Sequence, residues 1–529
     1  MGLAARAKIR TVAADRSPLE SAPMPHPRTP VLVGVAQITD RDSAPAAGSP
    51  LDLMARAAAA ALDDAGAAGT AVVLDTIAVV RLFADSSPAF ASPFGRYANL
   101  PKSLANRLGA TPATCLYGPV GGNTPQMLVN LMAERIAQGE ADAVLIAGVE
   151  ALRTQAHAVK AGLTLDWSDD PGGTPETLGK ETALVSRHEL VHGVAMPVNV
   201  YPLFESAVAA RYGDTPRRHR QRIGDLMTGF TRVAAANPYA ALPVERTADD
   251  LITPTDSNRY IAYPYTKYLN SNMFVDQAAA VVMMSTAAAD AAGVPQAKRV
   301  YLHGCADTHE HILVSDRVDY AASPSIRTGA AHALAHAGIG VADLGTIELY
   351  SCFPVAVEIA ADMIGLAHDD PRGLTLTGGL PYFGGPGNNY STHGIAEMVA
   401  RCRSRSDAYG LVFANGGYLT KSSFGVYSGR PTEGAWHRTD PAVYQAAIDA
   451  EPGPGFTETP DGAATVEAFT VVHDRGVPAF AIVVGRQVSD NRRFLAQAHT
   501  ELDALIDTQV VGRRFTVTTG DPVNRAVFA

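Results

Sequence analysis

Apolar positions with helical spacing are followed by a strand-like run at two distant places in the chain. Residues 58–66 ("AAAALDDAG") resemble residues 330–338 ("AAHALAHAG"). Each stretch precedes an apolar run, "LDTIAVV" from Leu74 and "LGTIELY" from Leu344. The pattern therefore predicts one helix-then-strand unit that occurs twice.

A second pair of units supports the repeat. The helical stretch 126–138 leads into the strand "DAVLIAG" from Asp142, and the helical stretch 394–405 leads into "YGLVFANG" from Tyr409. Ala-rich helices can look alike by chance, but two pairs in the same order make chance a poor explanation. Because strands that alternate with helices are typical of α/β folds, we predict two similar α/β halves with central sheets.

The alternation of predicted helices and strands is interrupted between the two halves and ends after the second half. Residues 163–268 are rich in Pro, Asp, Gly and aromatic residues and keep helical stretches at 204–212 and 221–235, which indicates an inserted loop domain. After residue 430 the apolar positions alternate with period two between Gly and Pro turns. The C-terminus is therefore predicted to form a small antiparallel β-barrel, with an OB-type topology as one option.

The chain has 529 residues, which is more than usually fold around a single hydrophobic core, so we expect several domains. The N-terminal stretch is basic and Pro-rich and lacks the apolar centre of a signal peptide, so we predict a flexible arm. The predicted parts are the arm (1–29), an N-terminal half (30–162 and 269–292), the inserted loop domain (163–268), a C-terminal half (293–430) and the barrel (431–529).

Composition narrows the class of protein. The chain has 43 basic and 53 acidic residues and a net charge of -10, which argues against nucleic-acid binding in general. No stretch approaches the roughly 18 to 20 uncharged apolar residues of a membrane helix, so no membrane span is predicted. Together these features predict a cytoplasmic protein.

The residues that commonly bind metals do not form a known metal motif. His332 and His336 have the i, i+4 spacing of helical ligands, but no partner motif follows. Residues 309–311 ("HEH") fit a loop edge better than a pair of ligands on one strand face. Four widely spaced cysteines without a CxxC pair suit reduced thiols, and they are Cys115, Cys305, Cys352 and Cys402. No metal ion is predicted.

Four stretches resemble one family in order and spacing. They are "EADAVLIAGVEAL", "PYTKYLNSNMFVDQAAAVVMMS", "GTIELYSCFPVAVEIAADMIGL" and "GGLPYFGGP". They resemble the thiolase superfamily, and are most similar to the sterol-carrier-protein type of thiolase, over residues 30–429. The resemblance implies acyl transfer between a cysteine and coenzyme A, with short catalytic motifs on loops that meet where the halves join.

The same resemblance indicates that the nucleophile and the general base are missing. The family's CxSG motif falls on "GNTP", so Gly122 stands at the position of the nucleophilic cysteine. The family's GHP motif falls on "GGP", and Gly385 replaces the histidine that acts as general base.

The turn at Gly122 would still suit a thiolate. Asn123 or Thr124 can cap a helix near Pro125, and a helix N-terminus lowers the pKa of a thiol. Cys115 lies seven residues before Gly122 and is interpreted as a core residue of the preceding strand.

Two further motifs keep only part of their chemistry. The family's HDCF motif falls on "YSCF", where Tyr350 replaces a histidine that helps bind the thioester oxygen and Cys352 remains as an acid or base. The CxG motif falls on "ANG", where Ala414 replaces the cysteine. The backbone amides of Gly122 and Gly416, which form one oxyanion hole in the family, remain.

Three features are left with alternative interpretations. The glycine-rich loop 378–389 ("GGLPYFGGPGNN"), with Tyr382 as its only proton-exchanging side chain, is either a retained binding shape around a lost or changed reaction or a packing device. Tyr350 either exchanges a proton with a substrate, if neighbours lower its pKa, or fills the volume left by Gly385. His393, just past the loop, either points inward or only starts a helix.

The densest basic run, "PRRHRQR", lies in the inserted domain, where the family binds the nucleotide end of coenzyme A. The resemblance therefore implies phosphate contacts from an arginine cluster, although a solvated helix face is the alternative. The candidate residues are Arg217, Arg218, Arg220 and Arg222.

We therefore predict a thiolase-like protein that binds coenzyme A thioesters in lipid or sterol metabolism. By resemblance it is an acetyl-CoA acetyltransferase, but it is expected to lack normal thiolase activity. The alternatives are a carbon–carbon lyase of retro-aldolase type and a non-catalytic thioester-binding scaffold. No cofactor is expected apart from the thioester. Some thiolase-like aldolases work with a separate OB-fold partner, so the barrel could also recruit a protein.

Overall fold

The computed structural model describes residues 25–41, 48–66, 74–179 and 183–528. The N-terminal half opens with alternating strands and helices, which are β1 (Pro30–Thr39), α1 (Pro50–Asp64), β2 (Thr76–Val79), α2 (Leu100–Leu108), β3 (Thr114–Tyr117), α3 (Thr124–Gln138), β4 (Ala143–Ala151) and α4 (Leu152–Lys160). The predicted units are present, since α1 precedes β2 and α3 leads into β4.

The inserted region is mostly helical. Its elements are β5 (Glu176–Thr177), α5 (Arg187–Val191), α6 (Pro197–Tyr212), α7 (Pro216–Ala236), α8 (Ala248–Ile252), β6 (Tyr260–Ala262) and β7 (Tyr265–Thr266). The two predicted helical stretches correspond to α6 and α7. The chain then returns to the N-terminal half with β8 (Asp276–Ser285) and α9 (Thr286–Ala291). None of the described helices is long and apolar enough to cross a membrane.

The C-terminal half repeats the arrangement of the first. Its elements are β9 (Val300–His309), α10 (Pro324–His336), β10 (Leu344–Leu349), α11 (Pro354–Ile364), α12 (Tyr390–Ser404), β11 (Tyr409–Gly416) and β12 (Lys421–Ser428). The strand order β2-β4-β8-β1 of the first half corresponds to β10-β11-β12-β9 of the second, with the same parallel and antiparallel neighbours. The prediction of two similar α/β halves is confirmed.

Helices α3 and α12 lie between the two halves. Apolar residues of both helices share one core cluster with strands of both halves. A second cluster packs α1 and α2 on the outer face of the N-terminal half, and a third packs α6, α7 and α11 with the C-terminal half. The N-terminal ends of the two central helices meet, because the Ser391 hydroxyl donates a hydrogen bond to the carbonyl of Gly122 over 2.7 Å.

One tight contact occurs at the same place in both halves. Gly34 of β1 packs against α1, where a Cβ atom on the glycine would lie 2.0 Å from the carbonyl oxygen of Ala61. Gly304 of β9 packs against α10, where a Cβ atom would lie 2.1 Å from the carbonyl oxygen of Ala333. Ala61 and Ala333 occupy the same position in the two similar Ala-rich stretches, so the internal repeat extends to single atomic contacts.

The C-terminal barrel is closed. It follows α13 (Pro441–Asp449) and consists of β13 (Gly462–Asp474), β14 (Val477–Gln487), β15 (Arg493–Ala498), α14 (Leu502–Leu505), β16 (Arg514–Thr518) and β17 (Arg525–Val527). The ring order is β13-β14-β15-β17-β16 and back to β13, with a helix between the third and fourth strands, which is an OB-type topology. Ala262 of β6 pairs with Val472 of β13, so the inserted region is attached to the barrel.

The predicted flexible arm, residues 1–29, includes a residue that is hydrogen-bonded to the N-terminal half. Residues 1–24 lie outside the described residues, but Arg28 is anchored to the end of α3. Its guanidinium donates hydrogen bonds to the carbonyls of Ile136 over 3.0 Å and Ala141 over 2.7 Å, and it pairs with Asp142. The arm boundary at residue 29 is therefore wrong, since Arg28 belongs to the fold.

We predict that Gly304→Ala lowers the free energy of unfolding by about 1–3 kcal/mol, the usual cost of overpacking a core. The added methyl group would lie 2.1 Å from the backbone oxygen of Ala333. Gly229→Ala in α7 is the control, because a Cβ atom there meets nothing within 4 Å and alanine favours a helix. Urea denaturation measures both variants, and a Gly304→Ala protein as stable as the wild type would contradict the tight contact.

Candidate functional site

Tyr350 lies where the two halves join, directly after β10. Its amide donates a hydrogen bond to the carbonyl of Phe413 on β11 over 3.0 Å, and its side chain is buried. A Cβ atom on Gly122 would lie 2.2 Å from the Tyr350 hydroxyl oxygen and 2.6 Å from the carbonyl oxygen of Asn415. The Tyr350 hydroxyl therefore fills the space in which a nucleophilic side chain at position 122 would begin.

Gly385 has a different neighbour. A Cβ atom there would lie 2.3 Å from the hydroxyl oxygen of Ser271, and the Gly385 amide donates a hydrogen bond to the carbonyl of Asn272 over 2.8 Å. The hypothesis that Tyr350 fills the volume left by Gly385 is therefore wrong. Ser271 fills that volume, and Tyr350 fills the volume beside Gly122.

Burial keeps Tyr350 protonated. It raises the pKa of the phenol well above its usual value, and the neighbouring Cys352 adds to the shift. The condition that neighbours lower the pKa of Tyr350 is therefore not met. At neutral pH the phenol can donate a hydrogen bond, but it offers no populated phenolate as a base.

Cys352 is also a neutral acid. The side-chain amide of Asn415 lies 3.8 Å from its sulfur and donates a hydrogen bond to the Tyr201 hydroxyl over 2.9 Å. The Tyr201 hydroxyl in turn donates to the carbonyl of Gly417 over 3.0 Å. Burial raises the pKa of the Cys352 thiol to about 12. Since the thiolate is the nucleophilic form, Cys352 is poorly suited to attack a thioester.

Sequence analysis missed two members of this network. Tyr201 comes from α6 of the inserted region, far from any motif. Asn415 occupies the variable middle position of the family's CxG motif, so the motif assigned it no role. Ala414, which replaces the cysteine of that motif, is buried on β11. The signal that could have found Asn415 is a polar residue at the buried end of an apolar strand.

The segment that precedes α3 approaches the end of β11 closely. A Cβ atom on Gly416 would lie 2.3 Å from the side-chain oxygen of Asn123 and 3.2 Å from the Cα atom of Gly121. The Asn123 side chain makes no capping hydrogen bond to α3, contrary to expectation, and donates instead to the hydroxyl of Ser423 over 3.1 Å. Gly122 and Gly416 therefore lie on adjacent segments, as the oxyanion prediction requires.

The glycines of the loop 378–389 are explained in part by packing. A Cβ atom on Gly378 would lie 2.5 Å from the backbone of Ala234 on α7, and one on Gly384 would lie 2.4 Å from the Gln277 side chain on β8. Both glycines have positive φ angles, 105° and 119°, which favour glycine over other residues. The packing interpretation of the loop therefore holds at these two positions.

Two buried polar side chains position this loop. The Glu348 carboxylate on β10 accepts a hydrogen bond from the amide of Thr377 over 3.1 Å. The Asn388 side chain accepts from the amide of Gly121 over 3.0 Å and donates to the carbonyl of Arg81 over 2.9 Å. The loop is thereby attached both to β10 and to the segment that precedes α3.

A cavity of about 590 Å³ is lined in part by Arg81, whose carbonyl accepts the hydrogen bond from Asn388. Its lining includes Arg81, Tyr117 and the buried Glu150, whose carboxylate accepts a hydrogen bond from the amide of Phe83 over 2.7 Å. Burial raises the pKa of Glu150 to about 8. A cavity of this size is within the range of small-molecule sites. The sequence did not reveal it, because its walls combine loops with the ends of β3, β4 and α4, which are distant in sequence.

A protein of known structure matches almost the whole chain. It is described as a monomeric SCP2-thiolase like protein type 1 from Mycobacterium smegmatis, is 39% identical, covers 96% of this chain and 100% of that chain, and has a TM-score of 0.81. The chain belongs to the SCP2-thiolase-like protein type 1 family. In agreement, residues 444–521 match the domain described as the thiolase-like protein type 1 additional C-terminal domain.

More distant structures share the fold of this family. The Ltp2-ChsH2(DUF35) aldolase is 19% identical and covers 77% of this chain and 99% of that chain, with a TM-score of 0.57. The acetyl-CoA acetyltransferase from Syntrophomonas wolfei is 17% identical and covers 76% and 99%, with a TM-score of 0.53. No curated protein matches the chain. The resemblance to thiolases is confirmed.

The predicted phosphate-binding arginines lie at the N-terminal end of α7 in this member of the family. Asp214 pairs with Arg218 over 2.9 Å and with Arg222 over 3.0 Å. Asp507 pairs with Arg220 over 3.1 Å, and Arg217 is exposed. Three of the four guanidinium groups therefore already contact a carboxylate within the chain.

The remaining sequence candidates lie on elements other than β10, which Tyr350 directly follows. Cys115 is on β3 as predicted, and partial burial raises its pKa. His332 and His336 are on α10, where burial lowers the pKa of both imidazoles. His393 points inward, with its Nδ1 atom 3.0 Å from the side-chain oxygen of Gln37, and burial lowers its pKa to about 3.

We predict that Gly122→Ala destabilises the fold by about 1–3 kcal/mol through overpacking, and that Tyr350→Leu relieves part of this cost. In a double-mutant cycle measured by urea denaturation, the coupling between the two positions should exceed about 0.5 kcal/mol. The reason is that the Tyr350 hydroxyl lies 2.2 Å from the added methyl group. Additive effects of the two substitutions would show that Tyr350 does not block position 122.

Proposed function

We propose that this protein binds a coenzyme A thioester where its two halves join and forms no acyl-cysteine there. The observation that carries the proposal is the position of the Tyr350 hydroxyl, 2.2 Å from where a side chain at Gly122 would begin. The thiolase route needs a thiolate at that point and a base beside it, and Gly385 supplies no imidazole. Cys352 is a poor substitute, because its pKa of about 12 keeps the thiol protonated.

Three features support a thioester ligand. The fold is shared with a protein named acetyl-CoA acetyltransferase, which also favours a place in lipid metabolism. The neutral phenol of Tyr350 lies beside Gly122, and the neutral thiol of Cys352 lies beside Asn415, an arrangement suited to a carbonyl oxygen. The cavity of about 590 Å³ lined by Arg81, Tyr117 and Glu150 is large enough for an acyl group.

The phosphates of the ligand are proposed to contact the exposed end of α7. Arg217 is exposed, and the Arg218 side chain is 73% exposed despite its ion pair with Asp214. Arg220 and Arg222 are less available, because their side chains are 19% and 34% exposed and already pair with carboxylates. Of the four candidate arginines, Arg217 and Arg218 are therefore the first residues to test for phosphate contacts.

We predict that calorimetry detects binding of acetoacetyl-CoA while thiolysis stays at background, since loss of an activated nucleophile costs on the order of a millionfold. The double variant Arg217→Ala, Arg218→Ala should bind more weakly and with less salt dependence. Arg232→Ala is the matched control, an exposed arginine on the same helix that pairs with Glu245. Undetectable binding to the wild type, or thiolysis at ordinary enzyme rates, would contradict the proposal.

A carbon–carbon lyase is the second candidate, and the neighbouring phenol and thiol are the observation that favours it. Retro-aldol cleavage of a 3-hydroxyacyl thioester needs a group that exchanges the hydroxyl proton, a site for the enolate oxygen and an acid that protonates carbon. Tyr350 is proposed to hydrogen-bond the substrate hydroxyl, whose proton passes to solvent on cleavage, and to donate its own proton to the alkoxide in the bond-forming direction. The amides of Gly122 and Gly416 are proposed to bind the enolate oxygen, and Cys352 to protonate the carbon and regain its proton from solvent. The raised pKa of Tyr350 suits proton donation in the bond-forming direction. One protein with this fold is named an aldolase with a DUF35 component.

We predict that Tyr350→Phe leaves thioester binding nearly unchanged, because it keeps the ring and removes one hydroxyl. If the protein is a lyase, the same variant should lose at least about a hundredfold in turnover. Tyr382→Phe is the matched control, since the Tyr382 hydroxyl is buried and has no hydrogen-bond partner among the described residues. Lyase turnover that is equal in wild type and Tyr350→Phe would remove Tyr350 from the reaction.

A further inference from the structure

Three buried side chains with metal-binding atoms meet where the inserted helices pack against the C-terminal half. Glu205 lies on α6, His219 on α7 and Glu358 on α11. Their relative exposures are 0%, 3% and 0%. One ligand atom from each lies within 4.8 Å of the other two. None of these three side chains has a role in the proposed function.

Glu358 gives the clearest sign of a missing partner. Neither of its carboxylate oxygens accepts a hydrogen bond from a donor group in the part of the chain that the structure describes, and the group it faces is the carboxyl group of Glu205. Glu205 differs, because one oxygen contacts the Nε2 atom of His219 and the other accepts a hydrogen bond from the Tyr265 hydroxyl. Burying a second carboxylate beside this group is costly unless a cation or a proton compensates for it.

His219 is oriented as metal-bound histidines usually are. Its Nε2 atom faces Glu205, and its Nδ1 atom lies 3.6 Å from a carboxylate oxygen of the buried Asp214. Asp214 is itself held by Arg218 and Arg222. A metal-binding histidine commonly offers its second ring nitrogen to a carboxylate, which sets the tautomer and the ring orientation. The distance to Asp214 is longer than a hydrogen bond, so Asp214 would position His219 only once the two groups move closer.

We propose that Glu205, His219 and Glu358 bind one divalent metal ion, with Zn²⁺ the best fit to an imidazole and two carboxylates. Two carboxylates and a doubly charged ion leave the cluster without net charge, which removes the penalty for burying unpaired charge. Ligand atoms about 2.1 Å from a tetrahedral zinc ion are about 3.4 Å apart. The contact between His219 and Glu205 would therefore have to open by about 1 Å, and the more distant ligand atoms would have to approach by a similar amount, to enclose the ion.

A small cavity beside the cluster leaves room for a fourth ligand. Its volume is about 40 Å³, and its lining includes Glu205, His219 and Phe469 of the barrel. This is enough for one water molecule. Because the ligands come from the inserted region and the C-terminal half, and the barrel closes the cavity, the ion would stabilise the junction of three parts of the chain. The expectation of no metal overlooked this cluster, because its ligands come from three separate helices.

The direct test is the metal content of the full-length protein, purified without a histidine tag. After equilibration with Zn²⁺ and removal of the excess, elemental mass spectrometry should find about one zinc ion per chain. Replacing zinc by Co²⁺ should produce the visible absorption of a four-coordinate cobalt site. A chelator should lower the melting temperature, because a structural metal stabilises only the folded state.

Glu358→Gln should weaken zinc binding by more than about a hundredfold, since loss of an outer partner alone costs 10–100-fold. His332→Asn is the matched control and should keep wild-type affinity, because His332 lies outside the cluster on α10. A wild-type protein that takes up neither Zn²⁺ nor Co²⁺ stoichiometrically overturns the proposal and indicates a proton shared by the two carboxyl groups. Wild-type affinity in Glu358→Gln overturns it equally. If that variant does not fold, the cobalt spectrum of the wild type decides.

Discussion

At the join of the two halves, the Tyr350 hydroxyl occupies the space that a side chain at position 122 would need. Tyr350 is placed there by β10 and by its hydrogen bond to Phe413 of the neighbouring strand. Gly122 is placed by the N-terminal end of α3, where Ser391 of α12 donates to its carbonyl. The carbonyl of Asn415, which would lie 2.6 Å from any Cβ atom at position 122, closes a third side. Glycine is therefore the residue that fits, and a cysteine cannot return by a single substitution.

The groups that remain around this contact differ from thiolase machinery in one physical respect. Burial raises the pKa of both Tyr350 and Cys352, so the site holds neutral hydrogen-bond donors where a thiolase would hold a thiolate and a base. Such donors suit the recognition of a carbonyl oxygen or proton donation to an alkoxide. Binding, or a reaction without an acyl-cysteine, is the function that this chemistry supports.

Most of the fold could be predicted from the sequence, and less of the site. Helices and strands follow from local periodicity, so the repeated α/β halves and the β-barrel were found before any contact was known. The neighbours of single residues depend on segments that are distant in sequence. Ser271 beside Gly385, Tyr350 beside Gly122, and Asp214 between its arginines are contacts of this kind. Such contacts cannot be predicted from the local pattern of apolar and polar residues.

The central claim is that a thioester binds without acylating the protein. Incubation with acetoacetyl-CoA, followed by intact-mass measurement under denaturing conditions and under native conditions, tests it directly. We expect an unmodified chain after denaturation and a chain plus one non-covalent ligand in the native measurement. A stable mass increase of one acyl group, mapped to Cys352 or to Cys115, would show instead that the thioester acylates the protein.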